Sequence, residues 1–301
     1  MWQPDPAWQP LPGGMGPSTV GVWSAWEAGR QVVVKRLEAP TAADPGELSS
    51  PRHFAYWRRA SDVALSGIVV DTPGLRGAAL LRAEEDADGI TLVQQYAEAT
   101  PNLPAAFVAA ALGRFASAQL PDEPWLARDQ LADRLARVER RGGWRTLART
   151  PVADLADRLW IRRSVLLERL RGLPQVPQHG DPVPSNLRAR VADQLIAIDW
   201  SSLGSGPVGA DLGYFALSTR DDFDTLISHY VAELGAGVAT RAEVETGATI
   251  TAVYTVLTRA DWALARVAEG DGALAGKFRH PSVAPYLLAM QRHLPQIESL
   301  L

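Results

Sequence analysis

His179-Gly180-Asp181-Pro182-Val183-Pro184-Ser185-Asn186, followed at a short interval by Ile196-Ala197-Ile198-Asp199-Trp200, is the stretch on which the reading of this chain turns. Pro182 and Pro184 each fix φ and remove an amide donor, so no regular helix runs through the first part and Asp181 is set on a rigid loop. Leu187 to Arg190 and Leu195 to Asp199 read as two short strands joined by a tight polar turn. Asn186 opens that hairpin and Asp199 ends it. A tight hairpin brings the two near each other, with Asp181 on the adjoining loop. Two carboxylates and an amide, with no cysteine in the chain and no other histidine close by, make a hard-oxygen site that suits Mg²⁺.

A magnesium site with a carboxylate base is what phosphoryl transfer requires. The metal bridges nucleotide phosphates, one aspartate orients or deprotonates the acceptor hydroxyl, and a lysine and backbone N–H groups neutralise the remaining charge. The N-terminal part offers both missing pieces. Leu11-Pro12-Gly13-Gly14-Met15-Gly16 precedes the first strand, and its glycines let the backbone approach phosphate oxygens closely. Lys35 follows Val32-Val33-Val34 in an apolar strand, where a cation needs a partner. Of the 30 Lys and Arg residues only Lys35 and Lys277 are lysines. A compact ammonium fits a phosphate oxygen in a tight cleft better than arginine's fork does.

Working outward, Val20 to Trp26 and Gln31 to Leu37 predict a hairpin around the turn Glu27 to Arg30. Glu38 to Ser50 reads as loop, and His53 to Leu65 as a helix burying Phe54 and Trp57. Ala78 to Leu81 and Ile90 to Val93 are short strands about an acidic turn ending in Asp88-Gly89. From residue 103 the signal becomes helical: Ala105 to Leu120, then Leu131, Leu135 and Val138 up to Gly142-Gly143, then a helix capped by Thr150-Pro151. Residues 211 to 301 read as helices again. The order predicts an α+β, two-lobed fold, with a small β-rich N-terminal nucleotide-binding lobe over 1–96 and a larger, mostly helical C-terminal lobe over 97–301.

Val32-Val33-Val34-Lys35, His179-Gly180-Asp181-x-x-x-x-Asn186 and Ile198-Asp199-Trp200 together resemble the aminoglycoside phosphotransferases and their choline-kinase-like relatives, which share the protein-kinase fold; the resemblance spans nearly the whole chain. It implies that Asp181 is the catalytic base, that Asn186 and Asp199 hold Mg²⁺, and that Lys35 contacts the α and β phosphates of ATP or GTP. It implies a nucleobase hinge from Gln95 through Tyr96 to Glu98, and a phosphate loop at Gly13, Gly14 and Gly16. Asp211, in Gly209-Ala210-Asp211-Leu212, matches a segment whose aspartate is usually structural. One departure stands out. The family pairs the strand lysine with a glutamate of the first helix, and residues 51–83 contain none. Alanine stands about where that acid belongs, which leaves Asp62 or Glu47 as substitutes.

The remaining expectations come from exclusion. A chain of 301 residues, 47% hydrophobic and 21% charged, buries a real core. Without cysteine there is no disulfide scaffold and no thiolate metal site. A net charge of −4 argues against nucleic acid as partner, and no apolar run is long enough for a membrane span. These point to a cytoplasmic protein, monomer or homodimer, whose partners are a nucleoside triphosphate and a small-molecule hydroxyl acceptor. Asp211-Leu212 follows Asp199 too closely to leave a peptide platform. A small-molecule alcohol is therefore the expected acceptor; the resemblance implies an antibiotic or sugar-like one, with antibiotic resistance as the attached role. The competing expectation is a pseudokinase, a nucleotide-binding module with little catalysis, motivated by the missing helix glutamate. Asp221, Asp222, Asp224, Glu233, Glu243 and Glu245 read as a solvated helix surface or as an acidic lid for a cationic acceptor. His179 reads as a loop-holding residue, and Trp262 as core or as a wall of the acceptor pocket.

Overall fold

The computed structural model describes residues 2–12, 16, 18–150, 152–268 and 274–301. The strands are β1 (Gln9–Pro10), β2 (Thr19–Glu27), β3 (Arg30–Glu38), β4 (Leu75–Gly77), β5 (Leu80–Glu85), β6 (Gly89–Gln95), β7 (Gln175–Gln178), β8 (Leu187–Val191), β9 (Gln194–Ala197) and β10 (Gly204–Pro207). The helices are α1 (Arg59–Ser66), α2 (Ala105–Ala116), α3 (Gln130–Arg140), α4 (Ala153–Arg171), α5 (Ala210–Ala216), α6 (Phe223–Glu233), α7 (Arg241–Ala268), α8 (Leu274–Phe278), α9 (Ala284–Arg292) and α10 (Leu294–Ser299). The architecture is α+β and two-lobed, a β-rich lobe against a larger helical one.

The small lobe is an antiparallel sheet in the order β1-β2-β3-β6-β5. Strand β3 lies between two partners, with Lys35 opposite Val22 on one side and Leu92 on the other. Side chains alternate across a strand. Val32 and Val34 therefore pack outward with Ala25 and Val93, under Trp8. Trp2, Trp8 and Trp23 cover that face, with ring centroids 5.5–6.2 Å apart. Leu37, Ile90 and Leu92 pack on the opposite face with Ala60 of α1.

In the large lobe β8 and β9 form the expected hairpin, and β4 joins β9 in parallel. Leu75 and the α1 residue Val63 share a core with α2, α5 and α6. Helix α7 is the spine of a second core, where Val253, Tyr254, Val256 and Leu257 are fully buried.

Three sequence expectations are corrected. The helix expected from His53 begins only at Arg59. The carbonyls of Pro51, His53 and Phe54 are taken by the Arg59 guanidinium, so they are lost to a helical ladder. Thr150 does not cap α4; Val152 holds that position and the Thr150 hydroxyl donates to Leu147 O instead, while Pro151 lies outside the described residues. Trp262 is 37% exposed with Arg266 over its ring, and is not a core residue.

Candidate active site

The loop after β7 is held from below. Asp211 of α5 accepts the amide of His179 at 2.6 Å on one oxygen and that of Gly180 at 3.0 Å on the other. The His179 ring is fully buried, with Nε2 3.0 Å from Ile198 O and its face 4.7 Å from Trp200. Both residues are structural supports, as expected. Gly180 has φ +80°, and a Cβ there would sit 2.4 Å from Gln130 Oε1 and 2.5 Å from Ser202 O, so glycine alone fits. Pro182 and Pro184 then carry the chain through a non-helical turn to Asn186, whose Nδ2 donates to Asp181 O at 3.0 Å and to Asp181 Oδ2 at 3.3 Å. Ile198 N donates to Asn186 O at 2.8 Å, which seats Asp199 beside Asn186.

Asp199 has φ +58°, a left-handed conformation uncommon outside glycine. It aims its carboxylate at the small lobe, where Lys35 Nζ donates to Oδ1 at 2.6 Å. Burial alone raises the Asp199 pKa, but the charge and hydrogen bond of Lys35, with Ser201 and His179 adding, hold it below the usual carboxylate value. Lys35, Asp199, Asn186 and Asp181 thus form one continuous array across the lobes.

The other sequence-selected residues are less engaged. Gly16 O accepts Thr19 N at 3.0 Å in the turn before β2. Gly13 and Gly14 lie outside the described residues. Gln95 ends β6 and is exposed, Tyr96 N donates to Gln31 O at 3.3 Å, and Glu98 is exposed.

Neither candidate acid reaches Lys35. Asp62 binds Arg58 at 3.2 Å, and Glu47 is held by Arg137 at 2.5 Å and by Arg140. Helix α1 offers Ala60 and Ala64 to a cavity of about 400 Å³ that it shares with Lys35 and Asp199. The partner of Lys35 is Asp199 itself.

The donors at hand are hard oxygens, the Asp199 carboxylate and the Asn186 amide oxygen. Among the described residues no group of three or more His, Asp or Glu could hold a metal unaided. The set therefore fits a divalent cation that brings part of its shell with it, as a phosphate-bound Mg²⁺ does.

Sequence reading missed three residues around Asp181. Tyr214 Oη donates to Asp181 Oδ1 at 2.5 Å, and Arg259 Nη2 donates to the same oxygen at 2.9 Å. Arg134 Nη2 donates to Gly180 O at 2.8 Å. Tyr214 was readable, because it lies three residues after Asp211 on one helix and so shares its face. Arg134 and Arg259 sit on distant helices and follow no local pattern.

Residues 8–245 match the model of the phosphotransferase enzyme family. The chain belongs to that family. Membership makes it a small-molecule kinase, a phosphotransferase with a hydroxyl group as acceptor. No curated protein matches the chain in sequence. Solved structures share its fold at low identity. Choline kinase LicA from Streptococcus pneumoniae is 14% identical with a TM-score of 0.58, covering 97% of this chain and 93% of that one. A thermostable mutant of aminoglycoside phosphotransferase APH(4)-Ia, in ternary complex with ADP and hygromycin B, is 14% identical with a TM-score of 0.57 over 97% and 93%. Amicoumacin kinase hAmiN, in complex with AMP-PNP, Ca²⁺ and Ami, is 11% identical with a TM-score of 0.56 over 97% and 88%.

Proposed function

We propose that this phosphotransferase moves the γ-phosphoryl group of ATP or GTP to a hydroxyl of an antibiotic-like or sugar-like small molecule. The nucleotide lies between a lobe of residues 1–96 and one of residues 97–301, with its base at Gln95, Tyr96 and Glu98. Backbone groups at Gly13, Gly14 and Gly16 and the Lys35 ammonium face its phosphates. Asp199 and Asn186 hold Mg²⁺, which when bound neutralises phosphate charge and orients the γ-phosphoryl group. Asp181 orients the acceptor hydroxyl and takes its proton. The acceptor oxygen bonds to the γ-phosphorus as the bond to the β–γ bridging oxygen breaks, and the nucleoside diphosphate leaves with that electron pair.

The observation that carries this reading is the array from Lys35 through Asp199 and Asn186 to Asp181, with contacts of 2.6–3.3 Å. The nucleotides in the aminoglycoside phosphotransferase and amicoumacin kinase complexes support it by likeness of fold. No described helix is long and apolar enough to cross a membrane, and we place the reaction in the cytoplasm.

Asp181→Asn is expected to lower turnover by about 10²–10⁴-fold, the scale of general-base loss, while a thermal-shift titration with MgATP and MgGTP stays near wild type. Undiminished turnover removes Asp181 from its role. One observation favours the alternative, a nucleotide-binding module with little catalysis: α1 supplies Ala60 and Ala64, not an acid, beside Lys35. Nucleotide stabilisation without diphosphate release across a broad acceptor panel would decide for it.

A further inference from the structure

Cations, not acids, surround the proposed base. Arg259 and the Tyr214 hydroxyl bind each other and share Asp181 Oδ1. Arg134 lies between the Tyr214 ring at 5.5 Å and the Phe54 ring at 5.1 Å, with Gly180 O as its hydrogen-bond partner. Among the described residues no carboxylate pairs with Arg134. The neighbouring acids are engaged elsewhere: Asp211 by the His179 and Gly180 amides, Asp133 by the Phe54 amide at 3.1 Å, and Glu47 by Arg137 and Arg140.

The acidic stretch does not compensate. Asp222 caps α6 through Thr225, Glu243 caps α7 through Thr240, Asp224 and Glu245 pair with Arg241, and Glu233 pairs with Arg114. These are helix caps and surface ion pairs, and Asp221 accepts the Thr219 hydroxyl at 3.2 Å, so all six acids have partners of their own.

Arg259 in its present place opposes the role given to Asp181, because its Nη2 lies 2.9 Å from Oδ1 and occupies an oxygen that the acceptor hydroxyl has to reach. A positively charged acceptor makes this worse, adding a like charge beside two arginines. An acceptor with its own anionic group resolves it. The guanidinium exchanges one anion for another, the carboxylate is freed for the hydroxyl proton, and planar bidentate recognition of the kind arginine provides fixes the substrate. We infer that the acceptor is an anionic hydroxy compound, bearing a carboxylate or a phosphate, which Arg134 and Arg259 hold as Arg259 leaves Asp181. This rests on the phosphotransferase reading above. It narrows that reading to a class that excludes polycations. Arg134 and Arg259 are specificity residues in this scheme, and neither takes part in the bond changes.

The test is a library of hydroxy compounds built as matched sets of amine, neutral, carboxylate and phosphate forms, for example glucosamine, glucose, glucuronate and glucose 6-phosphate. Acceptor-dependent diphosphate release is measured for the full chain with Mg²⁺ and ATP. Anionic members are expected to exceed their neutral partners in kcat/KM by about tenfold or more, the scale of one charge-assisted hydrogen bond, with amines lowest. The carboxylate and phosphate arms separate the two anion types. Arg259→Gln is expected to raise KM for anionic acceptors about tenfold relative to their neutral partners, with Arg259→Lys recovering part of the loss. Amine or neutral acceptors ranking first, or Arg259→Gln keeping the anion preference, overturns the inference.

If no library member is turned over, melting temperatures decide, with AMP-PNP and Mg²⁺ filling the nucleotide site. Phosphate and glucuronate must raise the melting temperature of the wild type and fail to raise that of Arg134→Gln/Arg259→Gln; equal shifts overturn the inference. A chain whose melting temperature does not respond to nucleotide at all, and which releases no diphosphate, instead defeats the phosphotransferase reading beneath it.

Discussion

Two segments converge on Lys35 and Asp199, the β8–β9 hairpin with its leading loop and the stretch from Gly46 through α1. They are built on opposite principles. The hairpin side is short-range: Pro182 and Pro184 stiffen the loop, Gly180 allows the turn, and Asn186 and Ile198 bond within a few residues of the acids they place. The α1 side is long-range. Its leading loop wraps one fully buried guanidinium, Arg59, which donates to five carbonyls: Pro51, His53, Phe54, Trp125 and Ser201. Two of those belong to the helical lobe, so a single side chain ties α1 to the far side of the cleft. A site can be set by local geometry on one wall and by one distant anchor on the other.

The anchor gives the largest expected effect. Arg59→Ala leaves four part-buried acceptors without their donor, His53 O keeping the Tyr56 amide at 3.0 Å, and each is worth about 1–3 kcal/mol when unsatisfied. Even with partial relaxation the loss is expected to exceed about 4 kcal/mol, a large share of a domain's stability. Arg59→Lys retains three donors and should fall between. Urea unfolding of both variants measures this. Gly180→Ala, which sets a Cβ against Ser202 O at a positive φ, is expected to cost about 2–4 kcal/mol. A larger loss for Gly180→Ala than for Arg59→Ala would reverse the comparison.

Lys35–Asp199 is where the two walls meet, and its contribution depends on pH. The folded pKa of Asp199 lies below its unfolded value, so the pair's stabilisation is fully present above about pH 4 and is lost as pH falls through the depressed folded value. The stability gap between wild type and Asp199→Asn should therefore hold steady near neutrality and close on the acid side. A gap that does not change with pH would show that the ion pair is not its source. Ala60→Glu probes the same junction from α1. A carboxylate in the cavity beside Lys35 competes with Asp199 for the ammonium and leaves Asp199 freer for Mg²⁺, so the Mg²⁺ dependence of turnover should shift to about threefold lower concentration. No shift would mean that Lys35 keeps its bond to Asp199.

The same division decides what was legible in the sequence. Val32-Val33-Val34-Lys35 reads as a strand because branched residues repeat there, and the hairpin at Asn186 and Asp199 reads because prolines and turns bound it. The start of α1 does not read, since His53 to Trp57 has apolar spacing suited to a helix and only Arg59's tertiary role withdraws the carbonyls. Strands β7 and β10 were hidden for another reason. Pro177, Gly204 and Gly206 are poor strand residues, tolerated here because the sheet has two strands, extended by a single bridge from Gly204 to Ala127. For the acid partner of Lys35 the sequence offers Asp62 or Glu47, and no periodicity points to Asp199. Arg134 and Arg259 come from α3 and α7, and only the packed helices bring them to Asp181.

The smallest expected effect tests whether local geometry governs both lobes alike. The β2–β3 hairpin turns on Ala28 and Gly29, with φ +49° and +75°, and the β8–β9 hairpin turns on Ala192 with φ +54°. Both are two-residue loops in which alanine occupies a left-handed conformation that asparagine or glycine tolerates better. Glycine would relieve the strain but enlarge the unfolded ensemble, so asparagine is the cleaner substitution. Ala28→Asn and Ala192→Asn should each gain up to about 1 kcal/mol, or roughly 2–4 °C in melting temperature, and the two gains should add because the turns lie in different sheets. Turnover should not move with Ala28→Asn, whose turn is remote in chain from the site's acids. If Ala192→Asn stabilises and Ala28→Asn does not, the small lobe's hairpin is fixed by the tryptophan cover of its sheet and not by its turn, and local geometry rules only the wall that carries Asp181.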